Sequence, residues 1–264
     1  MTNAATPQAS DQYVQSLARG LAVIRAFDTD HPMMTLTEVA ARTNLTRATA
    51  RRFLHTLVEL GYVRTDGKAF ALTAQVLQLG YAYLSGLSLP QIAQPHLEEL
   101  SLRLGESTSA AVLDGTDIAY IARVTTRRIM NVGITVGTRF PAYATSMGRV
   151  LLAALPPAKL QEYFATADIK PLTPRAVATK QDLLAVLKTV RAQGWCLLDQ
   201  ELEVGLMSVA APVYDGSRMV AAVNVSLQAQ AVAARPDPDA YLDSVREAIV
   251  GTAKLVSADL SAKH

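Results

Sequence analysis

The sequence contains one cysteine, four histidines and one tryptophan among 264 residues. A single thiol, Cys196, cannot form an internal disulfide, which excludes a disulfide framework. The histidines are scattered and do not combine with the cysteine in the spacing of zinc ligands, so no metal site is predicted. The glycines never follow the order G-x-G-x-x-G of a dinucleotide or methyl-donor loop. We therefore expect no bound cofactor.

Long apolar runs are also missing. The longest stretch without a formal charge covers residues 69–97, but polar side chains and a proline interrupt it, whereas a membrane span needs about 20 predominantly apolar residues. The first twelve residues have neither the basic segment nor the apolar segment of a signal peptide. These absences predict no membrane association and a cytoplasmic location.

The formal net charge of +2 conceals an uneven distribution. Between Arg42 and Lys68 there are six basic residues and only two acidic ones, whereas the two signs balance from residue 86 onward. A basic segment joined to a neutral remainder is typical of a nucleic-acid-binding module attached to a second domain, and the chain length allows two domains. Charge alone also fits a solvated helical face, so the pattern of the segment has to decide.

Residues 12–73 are predicted to form a winged helix-turn-helix. Apolar residues at helical spacing indicate a first helix, and a capping box formed by Thr35 and Glu38 opens a second. Thr46 can cap a third helix, which the pattern extends over residues 47–60. In this third helix one stripe is apolar and the opposite face carries arginine, threonine and histidine, which suits a DNA major groove.

The segment after the third helix is predicted to be the wing. Asp66-Gly67 lies between two short apolar runs, which is a strong signal for a hairpin. Some methyltransferases use a winged helix for dimerisation alone, and this alternative stays open at this point. The predicted DNA-binding residues are Thr46, Arg47, Thr49, Arg51, Arg52, His55, Arg64 and Lys68.

The rest of the chain is predicted to be an α+β domain. An uncharged helical pattern indicates a linker helix over residues 74–90 that contributes to a dimer, since helix-turn-helix regulators commonly bind two half-sites. Over residues 91–260, antiparallel hairpins alternate with helices, which favours a sensor-like α+β domain over a doubly wound sheet. The patterns predict helices at about 95–104, 145–155, 181–191 and 239–257, and strands at 109–113, 118–123, 130–136, 195–198, 208–214 and 219–227.

In their order along residues 12–260, several segments resemble the IclR family of bacterial transcription regulators. They are Ser16-Leu-Ala-Arg-Gly20-Leu-Ala-Val-Ile24, Gly105-Glu106, Leu151-Leu-Ala153 and Ala210-Ala-Pro-Val213. Residues 131–153 are similar to the subgroup that regulates protocatechuate, 4-hydroxybenzoate and β-ketoadipate catabolism. The resemblance implies a GAF-like effector-binding domain, a homodimer or tetramer, and a small organic acid of one of these types as effector.

The resemblance also implies where the effector binds. The family's ligand loop matches the start of a helix capped by Thr145, where the amides of Ser146 and Met147 can donate to a carboxylate. Asn224 and Ser226 alternate along a strand and share one of its faces; periodicity alone allows that face to meet solvent, and the resemblance favours a pocket. The predicted effector-binding residues are Thr145, Ser146, Met147, Asp199, Ser208, Asn224 and Ser226.

Three further features allow more than one interpretation. Cys196 is predicted to be a core thiol and not a reactive one. Asp199, Glu201 and Glu203 could be paired carboxylates for acid–base catalysis, but a loop in which one of them orders the pocket is favoured. Arg139 fits either an anionic effector or a surface ion pair.

Together these patterns favour a ligand-responsive transcriptional regulator of aromatic-acid catabolism. Such a protein binds double-stranded operator DNA and a small acid, and it is not an enzyme. One alternative is an enzyme, such as a methyltransferase with a winged-helix dimerisation domain, although the missing glycine-rich loop opposes it. Another is a DNA-binding regulator whose C-terminal domain only dimerises.

Overall fold

The computed structural model of the protein describes residues 13–79, 88–126 and 134–262. The chain divides into two compact units, with the boundary between residues 86 and 87. Each unit has its own sheet and its own hydrophobic core. Within the described ranges, no helix combines the length and apolar character needed to cross a membrane.

The N-terminal unit is a winged helix-turn-helix. Its predicted caps are present: the Thr35 amide donates to Glu38 Oε2 at 2.7 Å, and the Thr49 amide donates to Thr46 Oγ1 at 3.2 Å. Between the second and third helices Asn44 has a φ of 53°, a left-handed conformation that asparagine tolerates in a tight turn. The elements are α1 (Gln15–Arg25), β1 (Met33–Thr35), α2 (Leu36–Arg42), α3 (Arg47–Glu59), β2 (Val63–Thr65) and β3 (Ala69–Leu72).

The three strands form an antiparallel sheet in the order β1-β3-β2. The wing hairpin β2–β3 is as predicted, and its turn uses Gly67 at a φ of 92°, which a side chain would strain. Strand β1 was not predicted, because three residues are too short to show an alternation. Helix α3 buries its apolar stripe, including Ala50, Leu54 and Leu57, against the core of this unit.

The C-terminal unit is built on a six-stranded antiparallel sheet in the order β6-β5-β4-β9-β8-β7, which confirms the predicted α+β class. Its elements are α4 (Ser88–Leu104), β4 (Ser107–Asp114), β5 (Asp117–Val124), β6 (Arg139–Pro141), α5 (Ser146–Ala154), α6 (Pro157–Thr166), α7 (Lys180–Gln193), β7 (Cys196–Asp199), β8 (Leu206–Asp215), β9 (Arg218–Gln228), α8 (Ala229–Ala233) and α9 (Pro238–Ser261).

Helices cover both faces of this sheet. Helices α4 and α9 pack on one face, to which Val223 and Val225 contribute. Helices α5 and α7 belong to the core on the other face, to which Ala222 contributes. Because successive residues of a strand point to opposite faces, Asn224 and Ser226 lie on the α5 face of β9. The fold therefore buries the polar positions that alternation alone left undecided.

Helix α4 begins at Ser88, whereas the sequence pattern predicted a start near Pro95. Proline is common in the first turn of a helix, which made Pro95 look like a beginning. In the structure it lies inside the helix, at a cost of about 3 kcal/mol that packing has to offset. The buried residues Leu89, Ala93, Leu97 and Leu100 supply this packing as one continuous stripe.

The strand predicted at 130–136 is not found where the structure can test it. Residues 130–133 lie outside the described ranges, and residues 134–136 are not in a strand. The chain first turns through Gly137, whose amide donates to the Tyr120 carbonyl oxygen at 2.8 Å, and only then forms β6.

Residues 80–87 of the predicted linker helix also lie outside the described ranges. Helices α6 and α8 were missed.

Candidate DNA interface and effector cavity

The polar face of α3 is open to solvent. Thr46, Arg47, Arg51, Arg52 and His55 are exposed. Thr49 is partly buried, and its hydroxyl lies 2.8 Å from that of the capping Thr46. The His55 ring stands edge-on to Phe70 of β3, with 6.3 Å between the ring centroids. This contact joins the outer face of α3 to the wing.

Five cations of this surface form no ion pair with the residues that the structure describes. Arg42 of the same basic segment, by contrast, binds Asp28 at 2.6 Å. A charge without an internal partner can neutralise a phosphate without first breaking an ion pair. The five cations are Arg47, Arg51, Arg52, Arg64 and Lys68.

The one carboxylate of the wing, Asp66, is held by backbone amides of its own turn. Asp66 Oδ1 accepts the amides of Ala69 at 2.8 Å and Lys68 at 2.9 Å. The hydrogen bond from the Ala69 amide is the largest cause that lowers the pKa of Asp66 below its usual value, and the bond from the Lys68 amide adds to this effect. Arg64 and Lys68 are exposed beside the turn. The structure thus brings all eight predicted DNA-binding residues to α3 and the wing.

The C-terminal unit contains a small cavity between the α5 face of the sheet and the start of α5. Its volume is only about 10 Å³, roughly the room that one water molecule needs. Pockets for small ligands usually measure about 300–1,000 Å³, so an organic acid requires this cavity to widen. It is lined by Tyr120, Ile134, Thr145, Ser146, Met147, Leu198, Leu202, Leu206, Ser208, Asn224 and Ser226.

Six of the seven predicted effector residues line this cavity, although they come from α5, β8 and β9. Asp199 is the exception. It follows the lining residue Leu198 along β7, points away from the cavity and forms an exposed ion pair with Arg175. The alternation of a strand explains this outcome, because neighbouring residues cannot share a face.

The first turn of α5 forms one wall of the cavity. Thr145 Oγ1 accepts the Gly148 amide at 3.0 Å, and the Ser208 hydroxyl donates to Ser146 Oγ at 2.8 Å. The amides of Ser146 and Met147 belong to the first turn of the helix, where no backbone carbonyl of the helix is available to them. A Cβ on Gly148 would collide with the Ala142 carbonyl oxygen, so glycine is required for this helix start.

Asn224 is the least satisfied polar group of the cavity. Its side chain is buried, and its Nδ2 reaches Ser226 Oγ only at 3.5 Å. Its Oδ1 has no hydrogen-bond partner among the residues that the structure describes. A buried acceptor without a donor is costly, about 1–3 kcal/mol, and native structures contain few of them. Burial also raises the pKa of the neighbouring Tyr120 to about 12, so its hydroxyl stays neutral. A ligand hydroxyl would satisfy Asn224 Oδ1.

A buried ion pair fixes the loop that closes the cavity. Arg149 of α5, only 2% exposed, binds both carboxylate oxygens of Glu201, at 2.7 and 2.6 Å. Glu201 also accepts the Val177 amide at 2.9 Å. The following loop carries the lining residue Leu202. The sequence pattern suggested that one carboxylate of this loop orders the pocket but did not identify Arg149, which is 52 positions away.

Two other predictions are settled by the structure. Cys196 is buried in the core on the α5 face, and burial raises the pKa of its thiol to about 12. Arg139 forms a surface ion network with Asp114 and Asp117. Cys196 therefore belongs to the hydrophobic core and Arg139 to a surface ion network, and neither residue lines the cavity.

The chain belongs to the IclR family of bacterial transcriptional regulators. The family model for the bacterial transcriptional regulator IclR C-terminal domain matches residues 81–257, and that for the IclR helix-turn-helix domain matches residues 16–67. Both predicted modules, and the α+β effector domain that the resemblance implied, are thereby confirmed.

Two curated relatives belong to the pathway subgroup that the sequence resembles. The Pca regulon regulatory protein of Pseudomonas putida is 49% identical over 216 residues, covering 81% of this chain and 74% of that protein. The p-hydroxybenzoate hydroxylase transcriptional activator of Acinetobacter baylyi is 35% identical over 250 residues, covering 92% of this chain and 91% of that protein. These relatives are regulators, which favours a regulator over the methyltransferase alternative.

Solved structures share the architecture. A transcriptional regulator from Rhodococcus sp. RHA1 is 55% identical, with a TM-score of 0.83 and coverage of 96% of this chain and 100% of that one. An IclR homolog from Microbacterium hydrocarbonoxydans, complexed with 4-hydroxybenzoate, has a TM-score of 0.80 at 24% identity and covers 94% of this chain and 99% of that one. The second likeness concerns the fold alone.

Proposed function

We propose that this protein is an effector-responsive regulator of aromatic-acid catabolism, acting in the cytoplasm on operator DNA. One observation carries the proposal: six polar or helix-end residues from separate elements converge on one cavity that contains an unpaired buried acceptor. The names of the relatives supply the pathway, and the 4-hydroxybenzoate complex of the Microbacterium homolog supplies a precedent for a small acid.

In this proposal the start of α5 binds a carboxylate of the effector. The amides of Ser146 and Met147 and the positive end of the helix dipole favour a negative charge there. Asn224 Oδ1 accepts a hydrogen bond from a hydroxyl of the ligand or of a bound water, while Ser208 and Ser226 complete the polar lining. Because the cavity is narrow, effector binding has to move its walls, which is how binding reaches the rest of the domain.

DNA binding is assigned to α3 and the wing, with Arg51, Arg52 and His55 facing base edges and Arg64 and Lys68 facing phosphates. A homodimer, or a tetramer of two dimers, binds two half-sites of the operator. The exposed cations, which form no ion pair among the described residues, support this assignment. On this account the chain carries out no chemical reaction.

Two titrations of the full chain test the proposal. An operator is first enriched from random duplexes, and its Kd is measured at several salt concentrations; log K should fall linearly with log salt. Calorimetry with 4-hydroxybenzoate, protocatechuate and β-ketoadipate then measures effector binding. A salt-independent Kd would contradict DNA binding by this surface. The absence of heat with all three acids would instead favour a C-terminal domain that only dimerises.

A further inference from the structure

Two side chains separate the cavity from solvent. Of the eleven described residues that line it, nine are buried, whereas Ile134 and Leu202 are partly exposed. A small molecule has to enter where the wall of the cavity reaches the surface of the protein. The entrance therefore lies at one of these two side chains.

The buried walls of the cavity belong to regular elements. Strands β5, β9, β8 and β7, which carry most of the lining, are part of one hydrogen-bonded sheet. Helix α5 is buried at every residue from Ser146 to Ala153. Because protein interiors are close-packed, these walls cannot move apart without disrupting the core. The widening that an organic acid requires therefore has to come from a loop.

The loop between β7 and β8 is anchored at both ends. At one end, Glu201 is held by its buried ion pair, with nitrogen–oxygen distances of 2.7 and 2.6 Å. At the other end, the Gly205 amide donates to Gln200 Oε1 at 3.0 Å, and the Gly205 carbonyl oxygen accepts the Ala229 amide at 2.8 Å. Residues 202–204, which we call the gate segment, lie between these anchors.

The gate segment itself is held weakly. Within the described part of the chain, its backbone makes one hydrogen bond, in which the Leu206 amide donates to the Glu203 carbonyl oxygen at 3.2 Å. Leu202 packs against the core on the α5 face, whereas Val204 is 70% exposed. Gly205 has a φ of 89°, and glycine can leave such a conformation for many others. Outward movement of the segment therefore gives up little besides the packing of Leu202.

We propose that Leu202 is the gate of the effector cavity. The effector enters past this side chain, and the gate segment swings outward between Glu201 and Gly205 to make room. The inference rests on the proposed function and adds the entry route and the moving part. Glu201 stays in place, because separating a buried ion pair is costly. An apolar cavity of about 150 Å³, the scale of room that a lost leucine side chain leaves, holds a benzene ring.

Association kinetics of the full-length protein test the proposal. Surface plasmon resonance with immobilised protein measures the association rate constants of 4-hydroxybenzoate, protocatechuate and β-ketoadipate. Leu202→Ala should raise the rate constant of the acid that binds by about 10-fold or more, because the entrance is then open in a larger fraction of molecules. Leu202→Met, which keeps the volume of the side chain, should stay within about 3-fold of the unmodified protein.

Two variants are matched controls. Val204→Ala shortens an apolar side chain of the same segment that does not line the cavity. Ile134→Ala shortens the other partly exposed side chain of the wall. Both variants should keep the association rate constant within about 3-fold of the unmodified protein, since neither removes the gate.

Amide hydrogen exchange measured by NMR tests whether the segment moves. With saturating acid, the Leu206 amide should exchange faster, because its bond to Glu203 breaks. The Gln200 amide, which donates to the Leu206 carbonyl oxygen at 2.8 Å, lies outside the gate segment and should keep its protection. Unchanged protection of the Leu206 amide would contradict an outward swing of the segment.

The kinetic results also decide between entry routes. An unchanged rate constant in Leu202→Ala, or an equal or larger increase in Ile134→Ala or Val204→Ala, would show that the effector does not enter past Leu202. Thermal unfolding checks that each variant is folded at the assay temperature; if Leu202→Ala is not, Leu202→Val decides in its place. If neither the unmodified protein nor Leu202→Ala binds any of the three acids, the proposed function fails and the gate with it. Binding by both at equal rates refutes the gate alone.

Discussion

The buried pair of Arg149 and Glu201 leads to a quantitative prediction. The side chain of Arg149 is 2% exposed and that of Glu201 14%, so Glu201→Ala leaves a guanidinium with almost no access to water. Its remaining hydrogen bond, to the Tyr143 carbonyl oxygen at 2.8 Å, does not neutralise the charge. Removal of one partner of a buried pair costs about 3–5 kcal/mol, and we expect a loss of this size in the free energy of unfolding.

Urea unfolding followed by tryptophan fluorescence reports on the C-terminal unit, which contains this ion pair, because the one tryptophan, Trp195, lies there. With an m-value of about 2 kcal/mol/M, the midpoint should fall by about 1.5–2.5 M. Asp199→Ala is the matched control, since it breaks an exposed ion pair with Arg175 and should cost no more than about 1 kcal/mol.

A double variant separates the charge effect from lost packing. Arg149→Met combined with Glu201→Leu removes both charges and keeps apolar volume, and it should be far more stable than Glu201→Ala. Two results would refute the reasoning: a loss below about 1 kcal/mol in Glu201→Ala, or a double variant that is as unstable as the single one.

Further predictions concern the DNA surface, the start of α5 and the buried thiol. Arg52→Ala should weaken binding to the enriched operator by about 1–3 kcal/mol if Arg52 reads a base, whereas Lys68→Ala should mainly reduce the salt slope, by about 1; fluorescence anisotropy measures both. Gly148→Ala should overpack the helix start and lower the free energy of unfolding by about 1–3 kcal/mol, with weaker effector binding by calorimetry. The pKa of Cys196 is about 12 in the folded protein and near 8.5 in the unfolded chain. The thiol therefore contributes to the free energy of unfolding below pH 8.5, and this contribution is lost as the pH rises toward 12. Urea unfolding should show that the free energy of unfolding falls less between pH 8 and pH 10 in Cys196→Ala than in the unmodified protein.

The sequence was sufficient for features that depend on local pattern. The capping residues Thr35 and Thr46, the Asp66-Gly67 turn and the alternation of Asn224 with Ser226 each follow from interactions within a few residues. Family resemblance added the start of α5, which periodicity alone identified as a helix but not as a cavity wall. Of the seven effector residues that local pattern and resemblance predicted, six line one cavity.

Features that depend on distant contacts were not predictable in the same way. The partner of Arg149 lies 52 positions away, and no local pattern pairs these charges. The bulge in β5 reverses the face expected for Arg123, because strict alternation would point it away from Tyr120. Asp199 was assigned to the cavity by resemblance, although its neighbour Leu198 occupies the inward position of β7. Helix α4 extends through Pro95 because its stripe packs on the sheet.

The most direct test of an effector-gated regulator is the operator Kd of the full-length protein, measured by fluorescence anisotropy with and without a saturating acid. The proposed function predicts that at least one of β-ketoadipate, protocatechuate and 4-hydroxybenzoate changes this Kd. A variant with a blocked cavity, Ser208→Phe, should bind the operator but lose the response, because Ser208 lines the cavity in the C-terminal unit. An operator Kd that stays the same with all three acids would contradict the account.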